Sequence, residues 1–167
     1  CQALGLAGEP VFVVGTADTQ SAISAMQVEV GELVTVSGTT SPTLKIITDF
    51  CKYPRTWVSP TAEPGRLMLE VNTASSGINL QRFKDTMLKD MPYEHLNEDA
   101  AQRGLPERNL PGMYAVFLTG MHLDQDLLTG GFVMSNPISV DTKPEDYFHA
   151  LTLNIGMSIS MCIEKMK

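Results

Sequence analysis

Leu33-Val34-Thr35-Val36-Ser37-Gly38-Thr39-Thr40-Ser41-Pro42 and the earlier stretch Pro10-Val11-Phe12-Val13-Val14-Gly15-Thr16-Ala17-Asp18-Thr19-Gln20 decide how this chain is read. Each is a short apolar strand closed by a turn of small residues. Such a turn lets the backbone approach a ligand closely, because glycine adds no Cβ and tolerates positive φ. The first turn carries one carboxylate, Asp18, suited to taking a proton from an alcohol. The second carries backbone N–H groups and hydroxyls, suited to holding phosphate oxygens. Together they suggest phosphoryl transfer.

Outward from these turns, residues 11–14, 33–36 and 67–71 read as strands, and Leu44–Ile47 as a strand pairing with 33–36 across a Thr40–Thr43 turn. Thr19–Val28, with Ala22, Ile23, Ala25 and Met26, reads as a small-residue amphipathic helix. Cys51–Arg66, with Pro54, Trp57, Pro60 and Pro64, reads as a surface excursion in which Trp57 anchors a loop. From Ser76 the period becomes helical. Ile78, Leu80, Phe83, Met87 and Leu88 recur at three- and four-residue steps, and Ser75 or Ser76 can cap the start. Tyr93–Gln102 reads as a second helix, Leu105–Pro111 as a loop, and Gly112–Leu118 and Gly131–Met134 as extended segments. Thr142 and Glu145, around Pro144, have the spacing of a capping box. The helix that follows is apolar on much of its circumference and should be buried on more than one side.

At 167 residues, 43% hydrophobic and 19% charged, the chain is long enough for one domain. It should bury about 70% of its unfolded surface. A net charge of −7 argues against nucleic-acid binding through a basic field. No apolar run approaches the ~20 residues that span a membrane, and no signal peptide is seen. Cys1, Cys51 and Cys162 have no metal-type spacing and are odd in number, which favours a reducing compartment, the cytoplasm. His122, Asp124 and Asp126 alternate as metal ligands can, but lack a partner cluster and read as a solvated loop.

The two turns, in their order, resemble the C-terminal domain of the FGGY-family carbohydrate kinases. Gly15–Gln20 is similar to the family's first signature, Ser21–Met26 to the small helix after it, and Gly38-Thr39-Thr40 to the second. Ala74–Asp85 resembles the Gly-x-x-x-Gln helix start, with Gly77 and Gln81 at the matching places. Phe117–Gly120 through Gly130-Gly131-Phe132, and the helix Tyr147–Ile163, complete the series. The ordered set covers nearly the whole chain. A departure is Gly120-Met121-His122, where members commonly read Gly-Glu-Arg.

The resemblance implies an α/β, RNase H-like fold of the actin/hexokinase superfamily, a mixed sheet with flanking helices. It implies ATP and Mg²⁺, and a small sugar or polyol as phosphoryl acceptor. Asp18 takes the place of the general base, with helix capping as its other reading. Thr19 stands where some members contact the polyol through Gln. Gly38, Thr39 and Thr40 take the place of the phosphate clamp, an ordinary hairpin turn being the alternative. Gly77 and Gln81 take that of the nucleotide contacts. The family's sugar-binding N-terminal domain and its late Gly-Gly-Gly turn are not found in residues 1–167, so the stretch reads as an internal piece of a longer kinase, inactive alone. An exposed sheet edge and a bare helix face are then expected, compatible with a homodimer. The rival reading is a non-catalytic interaction module or degenerate kinase-like domain.

Overall fold

A computed structural model describes residues 15, 17–103, 114–116, 130–134 and 140–167. The expected strand at 11–14, Thr16, the loop at 105–111 and the His122–Asp126 stretch lie outside the described residues.

The chain enters helix α1 (Asp18–Met26), which ends one residue before Gln27, whose φ of 53° cannot continue a helix. The expected extension to Val28 therefore fails; Val28 instead folds back as a buried side chain. Gly31, at φ 92°, completes the reversal in a conformation that disfavours any Cβ. Strands β1 (Leu33–Thr35) and β2 (Thr40–Ile47) then form a hairpin, with Val34 opposite Leu44. The expected pairing holds, but the turn is Val36–Thr39 rather than Thr40–Thr43. Ser41, Pro42 and Thr43 belong to the strand despite their turn-like character. Pro42 is tolerated inside β2 because the β2–β4 register shifts between Thr40 and Pro42, relieving the missing donor at an irregularity.

Strand β3 (Trp57–Pro60) pairs antiparallel with β4 (Leu67–Ser75), so the supposed excursion contains an edge strand. Trp57 sits in that strand and stays half exposed at 49%. The sheet order is β1-β2-β4-β3. Its ladders are antiparallel, with one isolated parallel bridge, Val30 to Ile46.

Alternation along the central strands gives both faces a core. Leu44, Ile46 and Met68 point to one side and meet Ile23 and Val28. Leu69 and Val71 point to the other and meet Cys162 and Met166 of helix α4 (Pro144–Lys165). Burying each such side chain is worth roughly 1.5–3 kcal/mol. Lys45, on the second face, donates from Nζ to the Met166 carbonyl at 2.8 Å, satisfying one of the carbonyls a helix end leaves open.

Helices α2 (Gly77–Met87) and α3 (Tyr93–Arg103) pack on α4 through Leu88, Leu96 and Phe148. A short hairpin of β5 (Tyr114–Val116) and β6 (Gly131–Val133) adds Phe132, which meets Phe83 at 5.4 Å and Tyr147 at 5.1 Å between ring centroids. Capping of α4 differs from the expectation. The cap is Lys143, whose N–H donates to Asp146 Oδ2 at 2.7 Å, one residue later than the Thr142–Glu145 pair on both sides. Burial of α4 is also uneven: Phe148, Ala150, Leu151 and Cys162 are buried, whereas Met157 is 66% and Met161 45% exposed.

Candidate functional site

The tip of the β1–β2 hairpin and the start of α2 are built as one unit. At the tip, the Gly38 N–H donates to the Thr40 carbonyl at 3.0 Å, which folds the chain tightly over Thr39. The Gly38 carbonyl then accepts the Gly77 N–H at 3.2 Å, and the Thr39 carbonyl accepts both Ser76 N–H and Ile78 N–H at 3.2 Å. These donors are among the four that a helix start leaves unsatisfied. The next two, on Asn79 and Leu80, go to the Ser76 carbonyl at 3.1 Å. Gly77 has to be glycine for this packing: a Cβ there would stand 2.1 Å from the Gly38 carbonyl oxygen. The close approach that Gly77 permits is thus to the hairpin tip itself. Four of the residues singled out in the sequence, Gly38, Thr39, Thr40 and Gly77, are brought together, and exposed Gln81 lies one turn along α2.

What the tip offers outward is specific. Thr39 is exposed, and among the described residues neither its N–H nor its hydroxyl makes a hydrogen bond, although its carbonyl makes two. Two donors on one exposed residue, on a backbone fixed from behind, can hold an anionic oxygen without reorganising.

Asp18 opens α1 and is exposed. It is the first helical residue and not the cap, which is Ala17, and no side chain caps the helix from that position. Asp18 Oδ1 still accepts the Thr19 N–H at 2.7 Å, with Thr19 Oγ1 at 3.5 Å. A carboxylate in the first turn is favoured by the helix dipole, and this bond fixes one of its oxygens, the other having no hydrogen-bond partner among the described residues. Among the described residues no hydrogen bond links Asp18 or Thr19 to the Gly38–Thr39 tip; α1 is held to the sheet through Ile23 instead.

A cleft of about 630 Å³ lies between α1 and the β3–β4 hairpin. Gln20, Ser24, Gln27, Thr61 and Arg66 line it, and none of the residues expected in the site does. Arg66 at its rim is engaged by Glu63 at 3.0 Å and Glu29 at 3.4 Å. Among the described residues no group of three or more His, Cys, Asp or Glu could hold a metal ion.

Sequence reasoning missed the layer beneath the tip. Ser41 Oγ and Ser76 Oγ are 2.7 Å apart and buried, and Thr73 Oγ1 donates to the Ser41 carbonyl at 3.2 Å. Serines beside glycines read as turn residues, and nothing local marks them as partners 35 positions apart.

The fold, a sheet flanked by helices, is shared with solved xylulose kinases. The xylulose kinase of Rhodospirillum rubrum superposes with a TM-score of 0.70 at 16% identity, over 88% of this chain and 29% of that one. The xylulose kinase of Bifidobacterium adolescentis gives 0.59 at 18% identity, over 88% and 28%. At the level of sequence the chain is a homologue of the putative sugar kinase YoaC of Bacillus subtilis (strain 168), 27% identical over 159 residues. That alignment covers 93% of this chain and 32% of YoaC, so the chain spans about a third of that relative's length. No protein-family model matches the chain. The resemblance to carbohydrate kinases read from the two turns is borne out by these likenesses, as is the fold class.

Proposed function

We propose that the chain is part of the C-terminal domain of an FGGY-type carbohydrate kinase, which transfers the γ-phosphoryl group of ATP to a hydroxyl of a small sugar or polyol. The observation that carries this reading is the exposed Thr39, whose two donors have no partner among the described residues and sit on a backbone locked to α2, in a homologue of a putative sugar kinase. In this reading Asp18 orients the sugar hydroxyl and accepts its proton while the hydroxyl oxygen bonds to the γ-phosphorus. The bond from that phosphorus to the β–γ bridging oxygen breaks, and ADP leaves. Thr39 donates from its N–H and hydroxyl to the transferring phosphoryl oxygens, where charge is greatest. Gly38 and Thr40 shape the clamp, Gly77 brings α2 against it, Gln81 contacts the nucleotide and Thr19 the sugar.

ATP is a substrate here, and Mg²⁺ comes to the site on its phosphates, as this ion is usually held by substrate phosphates with one or two carboxylates. The remaining sugar and adenosine contacts belong to the rest of a longer kinase, and we place that kinase in the cytoplasm. Among the described residues no helix is long and apolar enough to cross a membrane.

The test is turnover of the protein carrying this segment against a panel of pentuloses and polyols, read as ADP release, beside an Asp18→Asn variant. Loss of a general base lowers kcat by about 10²–10⁴-fold. ATP affinity should stay within about twofold. An Asp18→Asn protein keeping most of its kcat removes Asp18 from this role. Sugar-dependent ADP release by residues 1–167 alone would show that the segment needs no further domain.

A further inference from the structure

Ser76 stands at the helix cap and does not cap. A serine there ordinarily turns its hydroxyl back to accept an N–H from the first turn, which stabilises the helix. In this chain no side-chain cap bond forms, and the hydroxyl lies 2.7 Å from that of Ser41. The two are 0% and 1% exposed, so neither can touch a ligand. A buried hydroxyl is unfavourable unless partnered, and these two are partnered by each other. Thr73, from β4, holds the Ser41 carbonyl at the place where the β2–β4 register shifts. The residues on either side of this pair are the ones that join the tip to α2: Thr40 precedes Ser41, and the Ser76, Gly77 and Ile78 amides hold the Gly38 and Thr39 carbonyls.

We propose that the Ser41–Ser76 hydroxyl pair is a positioning latch, which keeps Ser76 from capping α2 and so holds the helix's first amides on the Gly38–Thr39 tip. Neither serine is a catalytic residue. Both act through Thr39, whose outward donors are aimed by what its carbonyl is tied to. The functional consequence rests on the kinase reading above: with the latch broken, Ser76 turns back to cap α2, its amides leave Thr39, and ATP is held less well while sugar is not.

The experiment compares Ser41→Ala, Ser76→Ala and the double variant in the protein carrying this segment. Ser41→Ala should raise the KM for ATP about tenfold, the effect of one neutral hydrogen bond, with the KM for sugar within twofold. The double variant should keep the ATP KM within twofold of wild type, because the hydroxyl that would cap α2 is removed together with the latch. It leaves no unpartnered hydroxyl, so it carries the test if a single variant fails to fold. Amide hydrogen exchange supplies a readout independent of catalysis: Ser41→Ala should speed exchange at Gly77, whose amide a capping serine does not hold, about tenfold and leave α1 unchanged. An ATP KM within twofold of wild type in Ser41→Ala overturns the proposal, as does a tenfold rise in the double variant or unchanged exchange at Gly77 in Ser41→Ala. A wild-type protein without kinase activity refutes the kinase reading instead, and the exchange experiment still decides the latch.

Discussion

Replacing Gly77 with alanine should destabilise the chain by about 2 kcal/mol, and the figure follows from how the tip is held. The added Cβ would lie 2.1 Å from the Gly38 oxygen, 3.0 Å from the Gly38 carbonyl carbon and 3.6 Å from the Thr39 nitrogen. Two of these contacts are shorter than van der Waals packing allows, and all three are with backbone, which cannot swing aside as a side chain could. Tip and helix must separate by roughly 1 Å, which lengthens the three bonds from Gly77, Ser76 and Ile78 beyond useful range. At about 1 kcal/mol each, their loss comes to ~3 kcal/mol. Alanine's better helix propensity returns at most ~1 kcal/mol. For a domain of this size the remainder lowers Tm by about 4–8 °C, read by circular dichroism. Gly38→Ala is the matched control. Its Cβ meets only the Thr40 carbonyl oxygen, at an ordinary 3.7 Å, so its stability should change by less than about 0.5 kcal/mol. A Gly77→Ala protein as stable as wild type would mean that tip and helix are not in contact, and the site built on that contact would go with it.

Two further outcomes concern the packing of α3 on α4. Arg103 joins Asp99, at 2.6 Å, to Asp146, with all three side chains about a quarter to a third exposed. Burial alone would raise the Asp146 carboxyl, but the Lys143 N–H and the Arg103 guanidinium outweigh it and hold the group below its usual range. Arg103→Met should therefore lower stability by only about 1 kcal/mol, partly exposed pairs being well screened, and 0.5 M salt should shrink the difference. A loss unaffected by salt would show that packing by the arginine stem is responsible instead. His149 is the pH probe. Burial, aided by the Arg103 charge, pushes its imidazole below the ordinary value of 6.5, while Asp99 and Asp146 pull the other way. The unfolded chain then takes up the proton first, so stability is full above about pH 7 and falls as pH drops through 6.5 toward the folded value. His149→Gln should flatten that slope in urea titrations between pH 7.5 and 5.5; an unaltered slope would assign it to other groups.

Much of the architecture could be read from residues, and the failures have physical causes. The β1–β2 pairing was legible because Val34 and Val36, the latter just past the end of β1, and Leu44 and Ile46 on β2 share a period of two and a common core. The turn between them was misplaced because Pro42 forbids a regular central strand, and a register shift that accommodates it leaves no mark in the local sequence. Strand β3 was hidden for a similar reason: Trp57-Val58-Ser59-Pro60 is short, half exposed and ends in proline, and it is a strand only because Leu67–Glu70 lies beside it. At the start of α4, Thr142 and Glu145 fit the capping pattern, yet Lys143 and Asp146 make the bond, since a backbone donor needs no particular side chain. In the site, the glycines at 38 and 77 were visible as points of close approach. That they approach each other was not, because the two glycines lie 39 positions apart in turns that only the sheet brings together. The Ser41–Ser76 contact is illegible for the same reason.

The doubly bonded carbonyl of Thr39 settles how this part of the molecule can move. A hairpin tip facing solvent is often a flap, free to lift and close over whatever arrives. Here any lift would tear three amides of α2 from their acceptors, so tip and helix travel as a single body. Any opening or closing of this region would have to hinge elsewhere, and Thr39 carries its two outward donors on a backbone that moves only with the helix.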